Sequence, residues 1–102
     1  MHRARDRIEH ERWIVELERV ADRLGLSTEA RSCALDLFLA DVPEADRSKP
    51  AALAASVYAG SLVAGDGRTQ VAVAEAAGVS RLSIQGQWKG RLETAGLETP
   101  GW

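Results

Sequence analysis

A single cysteine, Cys33, stands among 102 residues, so no internal disulfide can form. A lone thiol within an apolar pattern suits a reducing interior. There are two histidines, His2 and His10, and neither has a partner at metal-ligand spacing, so no metal and no cofactor is expected. Gly65 and Gly67 follow a helical stretch rather than a strand, and they lack the Gly-Lys-Ser/Thr that completes a phosphate loop. From Arg3 onward the N-terminus is charged and has no apolar signal-peptide core. The most apolar stretch, from Pro50 to Ala64, is too short and too rich in small residues to cross a bilayer, which takes about 20 apolar residues. The expected location is the cytoplasm. No His, second Cys or activating base lies near Cys33 in sequence, and Glu75 has no partner acid, so the chain is not expected to be an enzyme. Aromatics are scarce at 5%, which leaves Ala, Leu, Val and Ile to build the core. Lysine occurs only at Lys49 and Lys89. The net charge of −2 gives no overall attraction to nucleic acid, so any DNA-binding face has to be local.

What is present is helical periodicity in one domain spanning residues 1–102. Ile8, Trp13, Leu17, Val20 and Leu24 form one stripe, opposite a face of Arg and Glu whose signs alternate, which predicts a helix over 5–24 with a solvated outer side. Gly25 suits the left-handed position past its end. Ser27 or Thr28 caps a second helix, 28–41, with Ala30, Cys33, Ala34, Leu37 and Phe38 facing inward, and Val42-Pro43 ends it. The third helix, 49–64, carries no charge from Pro50 to Ala64, and Ser48 is placed to cap it. A helix apolar all round belongs inside, so this one is expected to be surrounded by the rest.

Residues 69–95 have the form of a helix-turn-helix, with helices over 69–77 and 80–95. Thr69 caps the first, whose inner side is read as Val71, Val73, Ala74 and Ala77. Gly78, four residues after the small Ala74, permits the sharp turn, and Val79 plugs the corner. Ser80 caps the second helix, where Ile84, Trp88 and Leu92 recur every four residues on the buried side. Outward, Arg81, Gln85 and Lys89 line one ridge beside Leu82, Ser83 and Gln87. Arg and Gln can each make two hydrogen bonds to a base edge, and Lys can meet a phosphate. Arg68, with the amides at Thr69 and Gln70, is placed to hold another phosphate. The expected DNA contacts are therefore Arg68, Thr69, Gln70, Ser80, Arg81, Leu82, Ser83, Gln85 and Lys89.

Three segments, Ala51–Ala59, Arg68-Thr69-Gln70, and Val73–Ser80 leading to Ser83-Ile84, resemble in order and spacing the C-terminal cyclin-like repeat of archaeal transcription factor B, the counterpart of eukaryotic transcription factor IIB. The resemblance implies an all-α, five-helix cyclin-like domain ending in a helix-turn-helix. It implies promoter-type double-stranded DNA as partner, together with TATA-binding protein or another transcription factor B. The family's base-reading positions fall on Leu82 and Gln85, with Gln85 standing where the family has arginine. Trp88 takes its aromatic position and Lys89 the basic residue after it. The family's zinc ribbon, polymerase-reaching linker and first repeat have no counterpart here. Gly86 and Gly90 replace longer side chains, and as an i, i+4 pair they suit close approach of another helix. Two functions stay open at this point: a DNA-binding transcription domain, or a protein-interaction module that docks a second copy or another transcription factor B without touching DNA. A positive ridge joining Arg68, Arg81, Lys89 and Arg91 favours the first, a neutral or acidic one the second.

Overall fold

The computed structural model describes residues 10–97. Among the described residues five α-helices follow one another: α1 (Glu11–Leu24), α2 (Thr28–Ala40), α3 (Lys49–Val63), α4 (Gln70–Ala77) and α5 (Arg81–Thr94). A short 3-10 turn, Asp46–Ser48, leads into α3, and no strand occurs among the described residues. The all-α, five-helix expectation holds. The part of the first expected helix before His10, including Ile8, lies outside the described residues.

Each boundary follows from local chemistry. The α1 stripe of Ile14, Leu17, Val20 and Ala21 is buried, and Gly25 closes the helix at φ 64°. The Ser27 hydroxyl accepts from the Ala30 amide and opens α2. Ser48, in contrast, makes no side-chain cap. It already has helical backbone angles (φ −92°, ψ −14°) because the 3-10 turn delivers the chain wound, whereas a capping hydroxyl works from extended backbone. Lys49 takes up the junction instead, its Nζ donating to the Asp46 carboxylate at 2.6 Å.

Every residue of α3 from Ala52 to Ser61 is buried. Its apolar side chains join those of the other four helices in one core cluster. Ala55 and Ala59, expected inside, are fully buried. The two buried serines of α3 satisfy their hydroxyls against their own helix: Ser56 donates to the Ala52 carbonyl and Ser61 to that of Tyr58, both at 2.8 Å. The tightest crossing is α2 over α3. A Cβ at Gly60 would lie 2.6 Å from the Ala34 amide nitrogen and 2.7 Å from its Cα. Only hydrogen fits there.

Candidate nucleic-acid interface

The C-terminal helix pair is set by three caps. Thr69 Oγ1 accepts from the Ala72 amide at 3.0 Å, and Ser80 Oγ accepts from the Ser83 amide at 3.2 Å. Between them Gly78 adopts φ 71° while its N–H returns to the Ala74 carbonyl. Val73 and Ala74 face inward as read from sequence, but Val71 is 53% exposed and Ala76 is buried in its place. The reason is angular. Val71 precedes the fully buried Val73 by two residues, about 200° around the helix, whereas Ala76 is about 60° from it. An eight-residue helix shows too few turns for its sequence to reveal the difference.

Along α5, Ile84, Trp88 and Leu92 point into the core, and the Trp88 ring meets Tyr58 edge-on at 5.3 Å. That fixes the rotation of the helix and turns Arg81, Leu82, Gln85 and Lys89 to solvent. Leu82 is 70% exposed, an apolar side chain with no intramolecular use. Lys89 Nζ lies 5.4 Å from the Trp88 ring centroid, a cation–π contact that anchors its stem. Across the pair, Gln70 Nε2 donates to Gln85 Oε1 at 2.6 Å, and Arg81 Nη1 donates to Gln70 Oε1 at 3.3 Å. Eight of the nine expected contact residues thus lie at the starts of α4 and α5 or farther along α5. The Thr69, Ser80 and Ser83 hydroxyls are engaged in holding the helix starts.

Arg68 is turned the other way. Its Nε donates to the Leu24 carbonyl at 3.0 Å and its Nη2 to that of Gly25 at 3.2 Å, while Nη1 pairs with the Asp66 carboxylate at 2.7 Å. Asp66 in turn accepts the Ser27 amide at 2.8 Å. The loop before α4 is thereby bolted to the α1–α2 corner. Arg91 likewise leaves the expected positive ridge: it is buried, and its Nη2 donates to the carbonyls of Leu37 and Phe38 at 3.2 Å and to that of Asp41. Burial pulls its guanidinium below the ordinary arginine value, opposed by nearby Asp41. Both arginines satisfy orphan carbonyls at helix C-termini, where the helix dipole also favours a cation. Arg23 does the same at Ala76. Sequence gave no sign of these roles, because an arginine at helical spacing reads the same whether it faces solvent or a neighbour's end. Of the four cations expected on the ridge, Arg81 and Lys89 remain.

Two other features bear on chemistry. Cys33 lies in a groove of about 650 Å³ with Thr28, Ser32, Asp36, Leu37 and Val63 among its walls. Burial, then the Asp36 charge, pushes its thiol above the usual range, so it stays protonated and weakly nucleophilic. Among the described residues no group of His, Cys, Asp and Glu could hold a metal ion, and no helix is long and apolar enough to cross a membrane. Gly86 and Gly90 are exposed, and a Cβ at either would meet open space.

No protein-family profile matches the chain, and no solved structure does. Among curated proteins it is similar to transcription initiation factor IIB of Pyrococcus horikoshii, 35% identical over 91 residues covering 82% of this chain and 29% of that protein. The factor IIB of Pyrobaculum aerophilum is 35% identical over 91 residues, 85% of the chain and 27% of that protein. That of Pyrococcus abyssi is 31% identical over 87 residues, 82% and 29%. Over most of its own length the chain is a relative of archaeal transcription initiation factor IIB, corresponding to a segment of less than a third of that protein.

Proposed function

We propose that this domain works in transcription by placing α5 in the major groove of promoter-type duplex DNA. The observation that carries the reading is the outward ridge of α5: Arg81, Leu82, Gln85 and Lys89 all face solvent on a helix whose inner side is locked by Trp88 and Tyr58. Similarity to initiation factors supports the transcriptional setting. Gln85 meets an adenine edge, Leu82 a thymine methyl, and Arg81 a second base. Lys89 and the first amides of α4 at Thr69 and Gln70 hold phosphates and set the register, with Ser80 and Ser83 ordering the start of α5. Arg68 contributes from behind, by fixing the loop that carries Thr69. TATA-binding protein already on the DNA, or another transcription factor B, supplies the remaining affinity.

The test is a duplex titration, with and without TATA-binding protein, using wild type and Gln85→Ala. Loss of a two-bond base contact costs about 1 to 3 kcal/mol on the best site and flattens the preference at one position. Absence of duplex binding at low salt, with the partner present, would sink the reading. A second reading has two observations in its favour: the ridge keeps only two of its four expected cations, and the open surface at Gly86 and Gly90 admits the close approach of another helix. In that case the domain docks protein, and Gly86→Leu abolishes a complex that Gln85→Ala leaves intact.

A further inference from the structure

We infer that Gln70, which sits on α4 rather than on the reading helix, sets the base preference of Gln85 through a polarised hydrogen-bond chain that begins at Arg81. The inference rests on the DNA reading above. Three side chains from two helices form the chain: Arg81 Nη1 to Gln70 Oε1 at 3.3 Å, then Gln70 Nε2 to Gln85 Oε1 at 2.6 Å. Its direction is dictated by chemistry. A guanidinium has donors and no acceptor, so whatever faces Arg81 has to be an oxygen. That places the Gln70 oxygen toward Arg81 and its NH₂ toward Gln85. Gln85 can then meet Gln70 only with its own oxygen. One cation fixes the orientation of two amides that would otherwise turn freely about their last bond.

The consequence falls on the exposed end of Gln85. With one lone pair of Oε1 taken by Gln70, the Gln85 NH₂ points away from α4, and the second lone pair stays available beside it. That pairing of a donor with an adjacent acceptor matches the N7 acceptor and N6 amino donor of adenine. It does not match guanine, whose edge offers two acceptors, or cytosine, whose edge offers a donor alone. Arg81 keeps its remaining N–H groups for a base or phosphate of its own. Gln70 is therefore a positioning residue: it need not touch a base to hold Gln85 in the orientation that meets adenine.

Selection of bound duplexes from a randomised pool, using the whole chain with TATA-binding protein present, tests this with four proteins. Wild type is expected to enrich adenine at one position, and Gln85→Ala to lose that enrichment. Gln70→Ala should lower the adenine preference roughly five- to tenfold, read as a ratio between duplexes and so independent of any change in total affinity, because Gln85 is no longer held. Gln70→Glu is the decisive variant. A carboxylate still accepts from Arg81 but offers Gln85 no donor, so Gln85 turns its NH₂ inward and its oxygen out. The adenine preference should then fall at least as far as in Gln70→Ala, because the donor and acceptor of Gln85 have exchanged places relative to the N7 and N6 groups of adenine. Glutamate in the first turn of α4 also suits the helix dipole, so this variant should fold, which a circular dichroism melt checks. If Gln70→Ala and Gln70→Glu both enrich adenine as strongly as wild type, the positioning role is overturned while the DNA reading stands. If wild type enriches no sequence, the DNA reading fails first and the inference goes with it.

Discussion

At Gly60 and at Gly86 the same substitution is expected to have opposite signs. Both are helical glycines, and alanine at an open helical site is worth about 0.5 to 1 kcal/mol through backbone entropy alone. At Gly86 a methyl meets nothing within 4 Å, so Gly86→Ala should stabilise by about that amount. At Gly60 the methyl would fall 2.6 Å from the Ala34 backbone, which has no flexible end to yield. Overpacking of that kind costs about 1 to 3 kcal/mol and outweighs the entropy gain. Melting should therefore fall by several degrees for Gly60→Ala and rise for Gly86→Ala. A comparable contrast separates the basic residues of α5. Arg91→Met removes the donor shared by the Leu37, Phe38 and Asp41 carbonyls and should cost about 1 to 3 kcal/mol in urea unfolding. Lys89→Met, at an exposed site, should leave the urea midpoint nearly unchanged.

At the scale of elements, the helix-turn-helix is held by the loop that precedes it. Asp66 and Arg68 tie residues 65–68 to both sides of the α1–α2 corner, so α4 begins at a fixed point relative to α1. The Arg68 guanidinium, then the Ser27 amide, holds the Asp66 carboxyl below the ordinary carboxylate range. A folded-state value depressed in this way contributes stability that is fully present above the unfolded value of about 3.9 and is lost as pH falls through the folded value. Urea midpoints of wild type and Asp66→Asn should thus differ at pH 7 and converge in the acid limb below about pH 4. Parallel curves down to the lowest pH at which both fold would rule out this linkage. Lys49 does the same service at the entry to α3, its ammonium lowering the Asp46 carboxyl through a direct hydrogen bond.

For the whole molecule, the disposition of charge limits the DNA contact proposed above. The net charge is −2, and two of the arginines counted toward a basic ridge close helix ends inside the fold instead. A ridge left with Arg81 and Lys89 releases few counterions, so binding by the domain alone should be weak and its salt dependence shallow. Lys89→Ala should weaken all duplexes alike and flatten the logarithmic salt slope by about one unit. A slope unchanged by that substitution would remove Lys89 from the phosphate contacts.

The sequence by itself determined the five helices, the caps at Thr69 and Ser80, and the left-handed turns at Gly25 and Gly78, because each depends on residues within a few positions of one another, while it left the cap of α2 open between Ser27 and Thr28. It determined the burial of α3 as well, since a helix without charge after Lys49 has no side to show to water. The outward ridge of α5 was legible from the strict fourfold recurrence of Ile84, Trp88 and Leu92 on its other side. Only the tertiary structure decided which arginines were free. Arg68 lies 44 residues from Leu24 and Arg91 54 from Leu37, and whether a guanidinium finds a carbonyl at that separation depends on how helices pack. The exposure of Val71, the wound entry at Ser48 and the bond from Gln70 to Gln85 were settled in the same way. Each depends on the angle or spacing at which two elements meet, a quantity that local periodicity does not carry.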